Sequence, residues 1–144
     1  MHRASPQRGR GVIARLARYA WAGPNTLAGL FLGGLVLLAG GRVGIEEGVV
    51  EFSGGALARL ARSLPARLRF GAITLGHTIL GVSAAALAAA RRHEHVHVRQ
   101  YERWGPLFLP AYVCASAWAL AQGRRCYRDN HFEREAYAGE AAPE

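Results

Sequence analysis

The 144-residue chain contains no lysine, so all 18 of its basic side chains are arginines. Cysteine is nearly absent too: Cys114 and Cys126 stand alone, with no CxxC spacing. That excludes a disulfide-framed secreted scaffold, and both thiols are expected to stay reduced in a cytosol-like compartment. Cys126 reads as a small core residue, with a metal-ligand role as the sharper alternative. Charged residues make up only 19% of the chain, while half the residues are apolar, which rules out wholesale disorder. No ordinary signal peptide is expected, because the first apolar run begins only after Pro24 and ends in glycines. No internal repeat is present.

What charge there is sums to +8, and much of the excess is local: Arg3, Arg8, Arg10, Arg15 and Arg18 fall within the first twenty residues. Aromatic residues are not interleaved with these arginines, so nucleic acid is an unlikely partner. An anionic lipid surface or a topology-setting role suits the pattern better. Residues 1–11 read as a disordered basic arm, 12–138 as a single domain and 139–144 as a disordered tail.

Along that domain, residues 12–22 form a short amphipathic helix that Pro24 breaks, with Asn25 capping an apolar helix over 26–39. This run and a second apolar helix over 107–122 are both shorter than the roughly 20 residues that a bilayer span needs. The first is expected to be buried or membrane-apposed. Between them lie a hairpin over 43–53 turning at Glu46–Glu47–Gly48, a short helix over 56–63, and one strand over 69–80 with a bulge at Gly76. Ser83 caps the alanine-rich helix 83–103, which Gly105–Pro106 ends, and a last helix covers 130–138.

The chemistry sits in His93-Glu94-His95-Val96-His97, which fits HExxH. Residues four apart stand on one helical face, so His93 and His97 can hold one metal between them. Glu94 lies about 100° around the helix, where it can reach a water on the metal and accept its proton. His95 points to the opposite side. A catalytic zinc site wants a third protein ligand and an open position. Glu102 lies on the same helix and cannot fold back, and Glu140 and Glu144 fall in the expected tail, which leaves Asp129, Glu133 and Glu135. His131 is a competing imidazole. Asn130-x-x-Glu133 also reads as a capping box, in which Glu133 would only bond the helix start.

The stretches HEHVHVRQYERWGPLFLPAY and YRDNHFEREAYA are similar to a group of small bacterial proteins with zincin-like motifs. Glu133-Arg134-Glu135-Ala136 resembles the E-x-x-A stretch of membrane-associated gluzincin peptidases. The resemblance covers about 93–138. It implies an α+β zincin-like core: a backing helix, a small sheet of hairpin plus strand, an HExxH helix and a later glutamate helix. It implies Zn2+ on His93, His97 and Glu133, with Glu94 as general base. Such peptidases carry an aspartate four residues after the ligand glutamate, buttressing a histidine; here that position is Tyr137. The strand before the active-site helix would line the cleft and pair with an extended substrate. On it, His77 reads as an edge-strand histidine half in water, with binding of substrate or an oxyanion as the sharper alternative. The expected activity is a zinc-dependent peptidase or peptidase-like hydrolase acting on a peptide or protein, in the bacterial cytoplasm or on the cytoplasmic face of the membrane. The alternatives are a structural zinc protein without catalysis and a small membrane protein with a helical hairpin.

Overall fold

The computed structural model describes residues 6–66 and 69–141. Its first element, α1 (Pro6–Leu38), is one continuous helix that contains Pro24. It replaces the two helices expected over 12–22 and 26–39 and starts inside the expected arm, whose residues 1–5 lie outside the described part. An internal proline removes one ladder hydrogen bond and crowds the preceding turn, normally enough to kink or end a helix. Tertiary contacts hold the helix together on both sides of Pro24. Ala22, Asn25, Gly29, Gly33 and Val36 are buried along one face. Asn25 does not cap a helix start; its Nδ2 donates to the Gly105 carbonyl at 3.1 Å.

The hairpin forms as β1 (Gly41–Glu46) and β2 (Val49–Gly54). Its two corner residues, Glu47 and Gly48, take φ of 50° and 81°, the paired positive values that match a two-residue turn to the twist of the strands. After α2 (Gly55–Ser63) the single strand expected over 69–80 is instead a second hairpin, β3 (Ala72–Leu75) and β4 (Thr78–Gly81). Gly76 is not a bulge. It turns the corner with φ of 60°, pressed against Thr26 of α1 so closely that no Cβ would fit. The sheet order is β1-β2-β4-β3, with β2 and β4 parallel and the other pairs antiparallel.

Alternation along the strands puts helices on both faces. Leu80 of β4 and Phe52 of β2 pack with Val36 of α1, while Ile79 of β4 and Val49 of β2 pack with Leu87 and Val98 of α3 (Ala84–Trp104). Ser83 caps α3 by accepting from the Ala86 amide at 3.1 Å. Arg91 of α3 holds both carboxylate oxygens of the buried Glu51 on β2 at 2.9 Å each. A 3-10 turn, Gly105–Leu107, leads into α4 (Phe108–Ala121), and α5 (His131–Ala141) returns along α3. The architecture is α+β with a small mixed four-stranded sheet. Residues up to 141 are helical, so α5 runs into the expected tail; residues 142–144 lie outside the described part.

The close approach of α1 to the sheet depends on glycine. A Cβ at Gly33 would run into the Phe52 ring, and one at Gly29 would meet the Thr78 side chain at 2.7 Å. Gly33→Val should therefore lower stability by about 1–3 kcal/mol through overpacking. A urea midpoint equal to that of the native chain would contradict this.

Candidate metal centre

The segment 84–104 is helical because it is alanine-rich, well capped and interrupted by neither Gly nor Pro. Its four-residue spacing sets His93 and His97 one above the other, and both are buried. The partner face comes from α5, which packs along α3 and carries Glu133 in its first turn. His93 Nε2 lies 3.1 Å from Glu133 Oε2 and 3.2 Å from His97 Nε2, and His97 Nε2 lies 3.4 Å from Glu133 Oε1. These three residues form a buried group that could hold a metal ion.

The donor set can be tested for fit. Tetrahedral ligands at 2.0–2.1 Å from a zinc ion stand roughly 3.3–3.4 Å from one another, close to the three separations observed. The outward nitrogens point the same way. Gln100 Nε2 donates to the Phe132 carbonyl and to Glu135, which turns Gln100 Oε1 toward His97 Nδ1 at 2.8 Å. His97 Nδ1 is then the donor and its Nε2 lone pair faces the centre. His93 Nδ1 faces Glu140 Oε2 at 3.5 Å, which favours the same tautomer. Two imidazole lone pairs and a carboxylate converging in a buried space require a proton or a cation between them.

The titration tendencies agree. Burial would raise the Glu133 carboxyl, but hydrogen bonds from His93, His97 and Tyr112 outweigh it and hold the group far below the ordinary carboxylate range. Burial would depress the His97 imidazolium, but Glu133 and Gln100 outweigh it and the net shift is upward. The stabilisation from a raised imidazolium is present below its unfolded value near 6.5 and is lost as pH rises through the folded value. A metal ion held there would take the place of that proton. Metal affinity should therefore climb about tenfold per pH unit until pH passes the raised His97 value, then level off. A competition titration against a chelating dye across pH tests this; a flat profile would contradict it.

Glu94 is buried beside this group, where Thr74 of β3 donates to its Oε2 at 2.7 Å. Burial raises its carboxyl pKa, with Thr74 and the two histidines pulling the other way. Glu94, His93, His97 and Glu133 open onto one cleft of about 720 Å³, which Thr74, Tyr112 and Tyr137 also line.

The remaining candidates are placed as follows. Tyr137, one turn past Glu133, sets its ring edge-on to His93 at 4.7 Å. Asn130 is fully buried and caps α5: its Oδ1 accepts from the Phe132 amide at 2.8 Å, while its Nδ2 donates to the Tyr112 carbonyl and to Ser116. The expected capping box is not formed: Asn130 caps through the Phe132 amide, and the Glu133 side chain faces the histidines. Asp129 pairs with Arg125, Glu135 with Arg103 and Gln100, and His131 is exposed. His95 points toward Glu47 at 3.4 Å. Cys126 is an exposed thiol on the rim of the cleft, not a core residue. His77 does not line the cleft: it sits in the β3–β4 turn, stacked on Tyr19 at 3.8 Å and 3.0 Å from Glu102. The extra turn in the chain carries it away from the strand edge on which it was expected.

Sequence reasoning passed over Gln100, Tyr112 and Glu140. Gln100 is three residues past His97, a same-face spacing that could have flagged it. Glu140 is seven past Glu133, two helical turns along the same face, and was hidden by assigning it to a tail. Tyr112, whose hydroxyl donates to Glu133 Oε1 at 2.7 Å, left no local signal. Glu140 brings a carboxylate to the back of a histidine that Tyr137 cannot supply. Because Glu140 is half-exposed, Glu140→Ala should weaken metal binding toward the lower end of the 10–100-fold range that supporting carboxylates contribute. Unchanged affinity would remove that role.

No family model matches the chain, and no curated protein or solved structure matches it either.

Proposed function

We propose that the chain is a zinc-dependent peptidase or peptidase-like hydrolase of gluzincin type. The observation that carries this reading is the buried convergence of His93, His97 and Glu133 beside a fourth carboxylate, Glu94, on one cleft. The N/O donor set and its spacing suit zinc. A zinc ion held there supplies Lewis acidity, polarising a carbonyl and acidifying a water. The chain's own residues do the rest. Glu94 accepts the proton, with Thr74 steadying one of its oxygens. Gln100 and Glu140 hold the two imidazoles with Nε2 inward, and Tyr112 anchors Glu133. β3 is an edge strand of the sheet and lines the cleft, which supports an extended peptide as substrate, added strand to strand. The order of backing helix, sheet, HExxH helix and glutamate helix is the order a zincin-like core needs.

The test is zinc-dependent cleavage of a quenched-fluorescent peptide library by purified protein, abolished by a chelator and restored by zinc. A second reading keeps the metal without hydrolysis. His93 and Glu133 are 40 residues apart and belong to different helices, so a metal would also clip α3 to α5. One zinc per chain with no cleavage of any peptide would favour that clip.

A further inference from the structure

We infer that the outer face of α1 seats the protein on a phospholipid bilayer. Between Arg18 and Arg42 this part of the chain carries no charged residue, and the first 45 residues contain no acidic one. A helix on the surface of a soluble domain turns an apolar stripe inward and a polar one outward. The C-terminal half of α1 is apolar on both. Its inward stripe, Gly29, Gly33 and Val36, meets the sheet. Phe31 lies about 200° around the helix from Gly29. It heads an outward stripe of Leu27, Phe31, Leu35 and Leu38, exposed by 68%, 69%, 47% and 87%.

Only 28% of the most apolar stretch of α1 is buried. Lipid cannot surround it, because the sheet occupies the other side; the helix lies against the bilayer along one face. The flanks say what covers that face. Arg42 at one end is an exposed cation suited to anionic headgroups, and exposed Trp21 stands toward the other, where an indole fits the interface, while Arg18 turns inward to pair with Glu102. No acidic side chain in the first 45 residues stands to repel an anionic lipid surface from this face.

The experiment is co-sedimentation of the full chain with vesicles of phosphatidylcholine and phosphatidylglycerol, for the native protein and for Phe31→Lys/Leu35→Lys. Both side chains are exposed, so helix content by circular dichroism should be unchanged. The native chain should pellet with the vesicles, and the variant should partition about tenfold or more weakly, given the cost of a cation at the acyl boundary. Brominated phosphatidylcholine should also quench tryptophan emission of the native chain, a reading that needs no variant. A native chain that stays in the supernatant, unquenched emission, or a variant that binds as well as the native overturns the inference. So does a lipid-independent dimer that the two lysines dissociate, which would assign the face to a second copy.

Discussion

Replacing Glu133 with alanine should strip the protein of zinc: native chain carrying about one ion, variant carrying almost none after the same dialysis. Two imidazoles alone make a weak site, and the loss should exceed the roughly 10–100-fold that a missing supporting group costs. Stability follows by linkage. Zinc at about 100 times its dissociation constant adds about 2.7 kcal/mol to the native chain. For a chain this long that is a rise in Tm of roughly 5–10 °C, and the variant should lose most of it. Glu133 also accepts from the Tyr112 hydroxyl, so Glu133→Gln is the companion. The amide keeps an acceptor for Tyr112 while giving up the anionic ligand. Metal loss in both variants with a retained melting transition in Glu133→Gln separates the site from the fold. Full zinc occupancy in Glu133→Ala would sink the three-ligand centre.

Glu94→Gln should do the opposite. Glu94 is not in the converging group, so zinc content should stay near one per chain. The amide can still accept from Thr74, and packing at this buried position is preserved. What it loses is basicity, and positioned general bases contribute about 10²–10⁴-fold to rate. Cleavage with zinc intact should fall by that factor. Hydrolysis equal to the native rate would assign the proton to another group. Absence of hydrolysis in both forms, with zinc bound in both, would leave the metal as a clip between α3 and α5.

The part of this site that could be read from the sequence is the part that is local. Ser83, the alanine run and the Gly105–Pro106 stop define α3 within one or two residues, because capping and propensity act over a single turn. The four-residue interval alone puts His93 and His97 on one face. The first hairpin was equally legible, since Glu47–Gly48 can adopt the two positive φ values its turn demands.

Where distant contacts compete with local preference, the reading failed. Pro24 marks a helix end in isolation, yet a buried face from Ala22 to Val36 and the Asn25–Gly105 hydrogen bond carry the helix through it. Gly76 reads as a bulge until Thr26 packs against it and the strand folds back, which takes His77 away from the cleft.

The sequence by itself determined the helical pair of histidines, the neighbouring glutamate and the short list of carboxylates able to join them, because side-chain direction on a helix repeats every 3.6 residues. Only the tertiary structure decided which carboxylate turns inward, how Gln100 and Glu140 back the imidazoles, and that the outer face of α1 stays bare. Those depend on how α5 lies along α3 and α1 on the sheet, and such packing is set by surfaces that residues far apart in the chain build together.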